Sequence, residues 1–433
     1  MKVVKSGYNL FIPYDDEHDI IFNTFSGAIG LFNKDLMQRF NEDKLGEKEV
    51  SKLLEKGILI QSSYSELEKV NKDRIEGIKT KEHYHFRIWT TSACNARCFY
   101  CFEHGIEVKT MDSITADRVV EFIEERISRD SQLHIEWFGG EPLCNMGVID
   151  KISEKLIKIC KEKNIKYHAS MISNGSLIDE NVAYKISKEW KIESIQITFD
   201  GYRELYNAVK NYVSSCYNFD KVIQGIENLM KYGIHISIRM NYTTDNYESL
   251  LELADFFHKK FSSYNNIFYY AYPVWDSIDE NAEGAFKSDA RADKHILEIF
   301  DKLITYKMSP AKQLFRLRYR KYQCASCCEK SYTILPDGKL TKCSEAYLEP
   351  IGDIWNGVER HDLEELWTSI EIDQKCKECV YLPICQGGCR SAKFTAMPQC
   401  FAYKEIVPDM VKWYVDYLKG EKEKAKMWVN TLW

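Results

Sequence analysis

The feature that most constrains the fold of this chain is an alternation of short apolar runs with longer amphipathic stretches over residues 81–272. The runs predict strands at 86–90, 133–138, 168–173, 194–199, 235–241 and 267–272, and the stretches predict helices at 116–128, 148–162, 180–190, 219–232 and 247–261. In the first stretch, Val120, Ile123 and Ile127 fall on one helical face. Strands that alternate with helices predict a parallel α/β sheet, either doubly wound or curled into a barrel, with catalytic residues after the strand ends.

The segments before and after this region have other patterns. Two β-like runs at 8–13 and 19–23 predict a hairpin, helices are expected near 31–40 and 47–56, and a short strand at 58–60. This arrangement predicts a winged-helix-like unit, and a simple cap packed on the barrel is the alternative. From about residue 309 the chain is rich in Cys, Gly and turn residues, and a closing helix is expected at 406–418.

Charge and cysteine usage limit the class of function. The 59 basic and 65 acidic residues among 433 give a net charge of −6, which provides no footprint for nucleic acid or an anionic membrane. Without an apolar membrane span or signal-peptide core, we expect a cytoplasmic protein. A reducing compartment keeps the 15 cysteines free, so their clustering indicates metal or redox chemistry.

Three cysteines lie on one loop directly after the first predicted strand. A 4Fe–4S cluster normally takes four thiolates, so Cys94, Cys98 and Cys101 would leave one iron open to a ligand from outside the protein. A zinc site with a distant fourth ligand and three buried structural thiols are the alternatives.

This CxxxCxxC loop resembles the signature of the radical S-adenosylmethionine (SAM) superfamily. The resemblance implies a partial (β/α)6 TIM-like barrel in which the open iron binds the amino and carboxylate groups of SAM. Reductive cleavage of SAM then yields a 5′-deoxyadenosyl radical that abstracts hydrogen. Tyr100 matches the aromatic residue that packs beside the adenine, and a flavodoxin- or ferredoxin-type protein is the implied electron donor.

Further motifs of the superfamily follow the later strands. The implied SAM-binding residues are Tyr100, Gly139, Gly140, Glu141, Pro142, Ser173, Asn174, Thr198, Lys210 and Arg239. The glycines of this GGEP motif are expected to expose backbone carbonyls, and Glu141 to accept from the SAM ammonium. Ser173 and Asn174 suit the ribose hydroxyls. Thr198 is expected near the SAM carboxylate, and Lys210 stands where relatives often carry Arg.

The C-terminal cysteines resemble the SPASM domain, which holds two auxiliary 4Fe–4S clusters and would bring the total to three. Carried over from the family, cluster I would use Cys324, Cys328, Cys343 and Cys389, and cluster II Cys376, Cys379, Cys385 and Cys400. Cys327 adjoins Cys328, so it is open which upstream thiols bind and whether cluster I keeps an open site. Of the remaining cysteines, Cys160 is expected in the core, and Cys144 is expected to be a buried small hydrophobe, with hydrogen donation as the alternative.

These motifs predict a radical SAM/SPASM peptide maturase with a leader-recognition unit at 1–80, a barrel at 81–310 and a SPASM domain at 311–433. It would act on a ribosomally made precursor peptide and install a thioether or carbon–carbon crosslink. An anaerobic sulfatase-maturating enzyme that forms formylglycine is the first alternative, and a non-catalytic Fe–S scaffold is the second. Relatives that form formylglycine carry Asp after the cysteine matched by Cys343. Ser344 stands there, and Glu345 in an extended segment would point to the opposite face.

Overall fold

A parallel sheet curled into a partial barrel forms the centre of the computed structural model, which describes residues 2–80, 82–103, 105–274, 293–394 and 399–424. An N-terminal unit precedes the barrel. Its strands are β1 (Val3–Lys5), β2 (Asn9–Pro13), β3 (His18–Asn23), β4 (Ile29–Asn33) and β5 (Leu59–Gln61), and its helices are α1 (Lys34–Asn41), α2 (Glu47–Glu55) and α3 (Glu66–Ile78).

The predicted hairpin is confirmed as β2 and β3, but the helix expected near 31–40 begins later. Residues 29–33 form β4, which pairs antiparallel with β3 and completes a sheet in the order β2-β3-β4. Asn33 ends this strand and caps α1, because its side chain accepts a hydrogen bond from Leu36 N at 2.8 Å. The short strand β5 pairs with β1 rather than with this sheet.

The barrel contains every strand and helix predicted for residues 81–272. Its strands are β6 (His83–Trp89), β7 (Gln132–Phe138), β8 (Lys166–Ser173), β9 (Ile192–Phe199), β10 (His235–Tyr242) and β11 (Ile267–Pro273). The helices are α4 (Ser113–Arg126), α5 (Met146–Glu162), α6 (Glu180–Tyr184, continued by a π-helical turn), α7 (Arg203–Lys210), α8 (Phe219–Lys231), α9 (Tyr247–Phe261) and α10 (Ile296–Thr305). The strands pair in chain order and in parallel, so the partial (β/α)6 barrel is confirmed.

Alternation along each strand separates the apolar core from a polar lumen. On β10, Ile236, Ile238 and Met240 are buried in the main hydrophobic core, which includes residues of the surrounding helices. Arg239 and Asn241 lie on the opposite face of the strand, because successive side chains point to opposite sides. The lumen therefore receives the charged and hydrogen-bonding side chains of the sheet.

The C-terminal segment extends the sheet beyond β6. Its elements are α11 (Ala311–Leu314), β12 (Ser331–Ile334), β13 (Lys339–Thr341), β14 (Gly352–Asp353), β15 (Gly357–Val358), α12 (His361–Thr368), α13 (Gln374–Lys377), α14 (Leu382–Cys385) and α15 (Val407–Lys424). Strand β12 pairs in parallel with β6, which places the segment beside the first barrel strand. At the other edge, Ser309 Oγ accepts from Tyr269 N and donates to Tyr269 O of β11, which satisfies part of the exposed edge.

Helix α3 packs against the C-terminal segment although it lies within residues 1–80. Tyr319 Oη donates to Asp73 Oδ2 at 2.8 Å, and Val70 shares a small apolar core with Ile372 and Leu382. A functional boundary at residue 80 would therefore separate α3 from the residues it packs on. In the part of the chain described here, no helix combines the length and apolarity that crossing a membrane requires.

Candidate active site at the mouth of the barrel

The loop after β6 brings Cys94, Cys98 and Cys101 together at the C-terminal mouth of the barrel. The pKa of Cys94 and that of Cys101 are raised to about 12, mainly by burial, and the charge of Cys98 contributes to both increases, so the three thiols are neighbours. Arg97 N donates to Lys210 O at 2.8 Å and fixes the loop on the end of α7. Three adjacent thiols fit a cluster that leaves one iron open.

The GGEP loop after β7 packs backbone to backbone on the cysteine loop. Gly140 N donates to Thr91 O at 3.0 Å, and Glu141 N donates to Ala93 O at 2.9 Å. A Cβ at Gly139 would lie 2.3 Å from Thr91 O, and one at Gly140 would lie 2.4 Å from Ala93 O. Because glycine has no Cβ, Gly139 and Gly140 allow this close approach. Pro142 follows and accepts from Thr90 Oγ1 through its carbonyl.

Glu141 is fully buried and organises the end of β8. Its carboxylate accepts hydrogen bonds from Ser173 Oγ (2.9 Å), Asn174 N (2.8 Å) and Leu143 N (3.1 Å). Burial raises the pKa of Glu141 to about 7, although these hydrogen bonds favour the ionised form. Asn174 Nδ2 donates to Asn95 Oδ1 on the cysteine loop at 2.8 Å. Glu141, Ser173 and Asn174 therefore link the ends of β7 and β8 to the cysteine loop.

Lys210 lies in a buried polar cluster between β9, β10 and the cysteine loop. Its Nζ lies 3.1 Å from Asp200 Oδ2 and donates to Thr198 Oγ1 at 2.9 Å. Asp200 Oδ1 accepts from Tyr100 Oη at 2.7 Å and from Asn241 Nδ2 at 2.8 Å. The pKa of Lys210 is raised by the charges of Asp200 and Cys98, which outweigh desolvation.

Asp200 and Asn241 are not among the SAM-binding residues that the sequence motifs imply. A polar residue directly after the fourth predicted strand was the available signal for Asp200. Its ion pair with Lys210 joins residues of different elements, and neither their spacing nor their type predicts it.

Inside the lumen, Glu345 and Arg239 approach each other from different elements. The guanidinium of Arg239 lies 4.8 Å from the centre of the Tyr272 ring, and its buried Nε has no hydrogen-bond partner within the described residues. Burial raises the pKa of Glu345 to about 7, and the nearby charges of Arg87 and Arg239 oppose that increase. These partners place the Glu345 carboxylate on the lumen side of its segment.

The expectation that Glu345 points away from the site is therefore wrong. Residues Ser344–Ala346 form a 3-10 turn, so the alternation of an extended segment does not apply. Ser344 Oγ accepts from Arg87 Nη1 at 2.9 Å, and Arg87 pairs with Glu136 at 2.7 Å. Glu103 is a further carboxyl that the motifs did not single out. Burial raises the pKa of Glu103 to about 8, and the charge of Glu345 adds to the increase.

Four of the C-terminal thiols interact electrostatically with one another, and this set differs by one residue from the expected cluster I set. A hydrogen bond with Cys327 and the charge of Cys343 both raise the pKa of Cys324. The charge of Cys327 raises the pKa of Cys389. The charge of Cys389 in turn raises the pKa of Cys343. Cys328 points elsewhere, since its Sγ donates to Gly77 O at 3.7 Å. Because Cys328 is engaged by Gly77, we expect its neighbour Cys327 to be the ligand together with Cys324, Cys343 and Cys389.

The predicted cluster II cysteines line one cavity of about 280 Å³: Cys376, Cys379, Cys385 and Cys400. The charges of the other three raise the pKa of Cys385, to which burial contributes most. Lys404 Nζ donates to Cys400 Sγ at 3.5 Å. A cavity walled by four thiols fits a 4Fe–4S cluster, which takes one thiolate at each iron. In the described part of the chain no three Cys, His, Asp or Glu side chains converge on a single ion.

The remaining cysteines differ from each other in burial. Cys160 is 1% exposed and belongs to the main core, as expected. Cys144 is exposed, so the expectation that it is a buried small hydrophobe is wrong. It follows the Glu141 loop in a short 3-10 turn, which turns its side chain out of the core.

Comparisons with known proteins agree with this geometry. The model of the radical SAM superfamily matches residues 89–257. The cysteine-type anaerobic sulfatase-maturating enzyme of Clostridium perfringens (strain 13 / Type A) is 22% identical over 351 residues, covering 73% of this chain and 93% of that protein.

Two solved structures share the fold. The structure of anSMEcpe with bound AdoMet and Cp18Cys peptide has a TM-score of 0.60 at 19% identity and covers 80% of this chain and 99% of its own. The structure of Streptococcus suis SuiB bound to precursor peptide SuiA has a TM-score of 0.52 at 17% identity and covers 93% and 99%. The matched residues 89–257 include the three-cysteine loop at the mouth of the partial barrel, so the chain contains a radical SAM superfamily domain.

Proposed function

We propose that the protein is a peptide maturase that abstracts hydrogen from a ribosomally made precursor and installs a thioether or carbon–carbon crosslink. The observation that carries this proposal is the N-terminal sheet. Strand β4 stands at its edge and is paired on one side, with β3. An extended leader peptide can add to such an edge as a further strand.

The other edge of this sheet is less suited to a peptide. Strand β2 ends in Pro13, which has no N–H to donate to a partner strand. The adjacent Tyr14 hydrogen-bonds Asp416, and Lys419 Nζ donates to Tyr14 Oη at 2.9 Å, so α15 lies next to this edge. We therefore expect the leader at β4.

The SuiB comparison supports a peptide substrate. Its structure with a bound precursor peptide matches 93% of this chain, a larger share than the 80% matched by anSMEcpe. The greater coverage agrees with a fold that extends beyond the barrel and its C-terminal segment.

The site residues divide the work of the reaction. When bound, the 4Fe–4S cluster and SAM supply a 5′-deoxyadenosyl radical that removes one hydrogen atom from the substrate. Glu141, Ser173, Asn174, Thr198 and Lys210 surround the mouth where SAM would lie, with Tyr100 held by its hydroxyl. Gly139, Gly140 and Pro142 hold the cysteine loop in position.

The lumen supplies groups that face the peptide. Arg239 Nε lacks a protein partner within the described residues and is available to a substrate oxygen. Glu345 and Glu103 are half-buried carboxyls that can accept the proton released when the second hydrogen leaves as a proton and an electron. Cys324, Cys327, Cys343 and Cys389 would hold one auxiliary cluster, and Cys376, Cys379, Cys385 and Cys400 the other. Such clusters would supply an electron acceptor near the lumen, and a flavodoxin- or ferredoxin-type protein would be the external donor.

Formation of formylglycine is the second candidate, and one observation favours it. That oxidation requires a base near auxiliary cluster I, and Glu345 faces the lumen close to Cys343. The absence of Asp at position 344 therefore does not exclude this activity. The similarity to the Clostridium perfringens sulfatase-maturating enzyme points the same way.

Tandem mass spectrometry separates the two activities. The reduced enzyme is incubated with SAM and either the precursor peptide encoded beside its gene or a peptide with a sulfatase motif. A crosslink lowers the precursor mass by about 2 Da, because each joined atom loses one hydrogen. We expect this loss, its disappearance when the leader is removed, and no aldehyde on the sulfatase peptide.

A variant with Cys94, Cys98 and Cys101 all replaced by Ala is the control and should form neither product nor 5′-deoxyadenosine. An aldehyde on the sulfatase peptide, trapped with hydrazine, would replace the crosslinking proposal by the second candidate.

A further inference from the structure

We propose that Arg74, on helix α3 of the N-terminal segment, is an electrostatic bridge between the two auxiliary clusters and raises the reduction potential of both. The inference rests on the auxiliary clusters of the proposed function, but not on the identity of the peptide. It makes Arg74 a positioning residue for electron transfer.

Among the residues that the structure describes, Arg74 is a buried cation without a carboxylate partner within salt-bridge distance. Its side chain is 3% exposed, and its Nε has no hydrogen-bond partner within the described residues. Nη1 donates to Gln386 O at 2.8 Å, and Nη2 lies 3.4 Å from Ser369 O. These carbonyls hold the guanidinium in place but do not balance its charge. A buried charge without an opposite charge is costly, so this arrangement requires an anion nearby.

The thiols of both proposed clusters provide that anion. Arg74 Nη1 donates to the carbonyl of Gln386, the residue that follows Cys385 of cluster II, and Arg74 lines one cavity with Cys389 of cluster I. Burial and the charge of Arg390 lower the pKa of Arg74 to about 10, and the charges of Cys327, Cys376 and Cys385 oppose that decrease. Cys327 belongs to the proposed ligand set of cluster I, whereas Cys376 and Cys385 line the cavity of cluster II. Arg74 is therefore close to ligands of both sites.

A free anion is a poorer explanation of the same geometry. Arg74 and Arg390 line a cavity of about 200 Å³ together with Glu371 and Asp373. Lys393 lines this cavity too, and the two carboxylates offset two of its three cations. The thiolates of the adjacent clusters would further repel a small anion. The clusters themselves carry the negative charge that Arg74 meets.

Reduction adds one electron to a 4Fe–4S cluster and one unit of negative charge beside Arg74, and no bond forms or breaks. The potential of such clusters depends on the surrounding charge and on solvent exposure. A buried cation stabilises the reduced form more than the oxidised form. Because the electron leaves the substrate in the proposed reaction, Arg74 favours its transfer to the clusters.

The test is a redox titration of the auxiliary clusters followed by electron paramagnetic resonance. It uses the full chain with Cys94, Cys98 and Cys101 replaced by Ala, so that signals of the barrel cluster do not overlap. Arg74→Gln is compared with Lys72→Gln, which removes the same charge from an exposed position on α3. We expect Arg74→Gln to weaken reduction of both clusters at least tenfold, which is about 59 mV for one electron. Lys72→Gln should leave both potentials unchanged.

Unchanged potentials in Arg74→Gln, or a shift of one cluster alone, would overturn the proposal. If Arg74→Gln does not assemble its clusters, Arg74→Lys decides. Lysine keeps the positive charge, so the reduction equilibria should stay within threefold of those of the parent. A tenfold loss in Arg74→Lys would show that charge is not the cause. Since no peptide is present, failure of the crosslinking proposal leaves this result unaffected.

Discussion

Replacing Gly140 by Ala tests whether backbone contact between two loops positions the catalytic cluster. The added Cβ would lie 2.4 Å from Ala93 O and 2.6 Å from Ser92 O. An ordinary contact begins at 3.4 Å, so the cysteine loop must move by about 1 Å relative to the GGEP loop. Both contacts are with backbone atoms, so rotation of a side chain does not relieve them.

The displacement has a cost in stability and in rate. It disrupts the hydrogen bonds from Gly140 N to Thr91 O and from Glu141 N to Ala93 O. Each buried group left unpaired costs about 1–3 kcal/mol, so the two bonds together are worth about 2–6 kcal/mol. A shift of about 1 Å in reacting groups lowers a rate by about 100-fold.

The assay measures 5′-deoxyadenosine formation, iron content and unfolding by urea under anaerobic conditions. Gly140→Ala should reduce 5′-deoxyadenosine formation about 100-fold while the iron of the auxiliary sites is retained. Gly147→Ala is the matched control, because Gly147 is exposed on α5 and a Cβ there meets no atom within 4 Å. Ala is the better helix former by about 1 kcal/mol, so this control should be as stable as the parent or more stable. Wild-type activity and stability in Gly140→Ala would refute the reasoning.

Two further predictions concern buried titratable groups. Lys210→Met should lower the free energy of unfolding by about 3–5 kcal/mol, because it leaves Asp200 buried without its cation. Adding Asp200→Leu to that variant should restore part of the loss. A higher KM for SAM with unchanged stability would instead assign Lys210 to the SAM carboxylate. Burial and the charge of His85 lower the pKa of His134 to about 4, so the folded state resists protonation of this side chain. The stability contributed by neutral His134 is fully present above pH 6.5 and is lost as the pH falls from 6.5 through 4. Between pH 7.5 and 5.5 this loss should be about 1 kcal/mol by urea unfolding and should disappear in His134→Asn, and an unchanged pH dependence in that variant would contradict it.

The sequence was sufficient for the barrel and the cysteine loop because both depend on local patterns. Strand and helix periods over residues 81–272 report which face of each element is buried, and β6 to β11 appear where those periods place them. Cys94, Cys98 and Cys101 lie within one loop, so their spacing alone brings the thiols together. In the N-terminal unit, β4 was missed because its five residues continue into α1 without a turn residue between them.

The tertiary structure decided the contacts between distant segments. Cys327 and Cys328 are equivalent in sequence, and only the packing of α3 turns Cys328 toward Gly77 and leaves Cys327 beside Cys324 and Cys389. Glu345 faces the lumen because its segment folds into a 3-10 turn.

The same reason applies to the buried charges. Arg74 donates to the carbonyl of Gln386, 312 positions away, and Lys210 pairs with Asp200 on another element. The energy of such pairs depends on burial and on the distance between groups, which a linear pattern of residue types does not contain. Local periodicity and spacing therefore determined the elements and the cysteine motifs, whereas packing decided which charges and thiols meet.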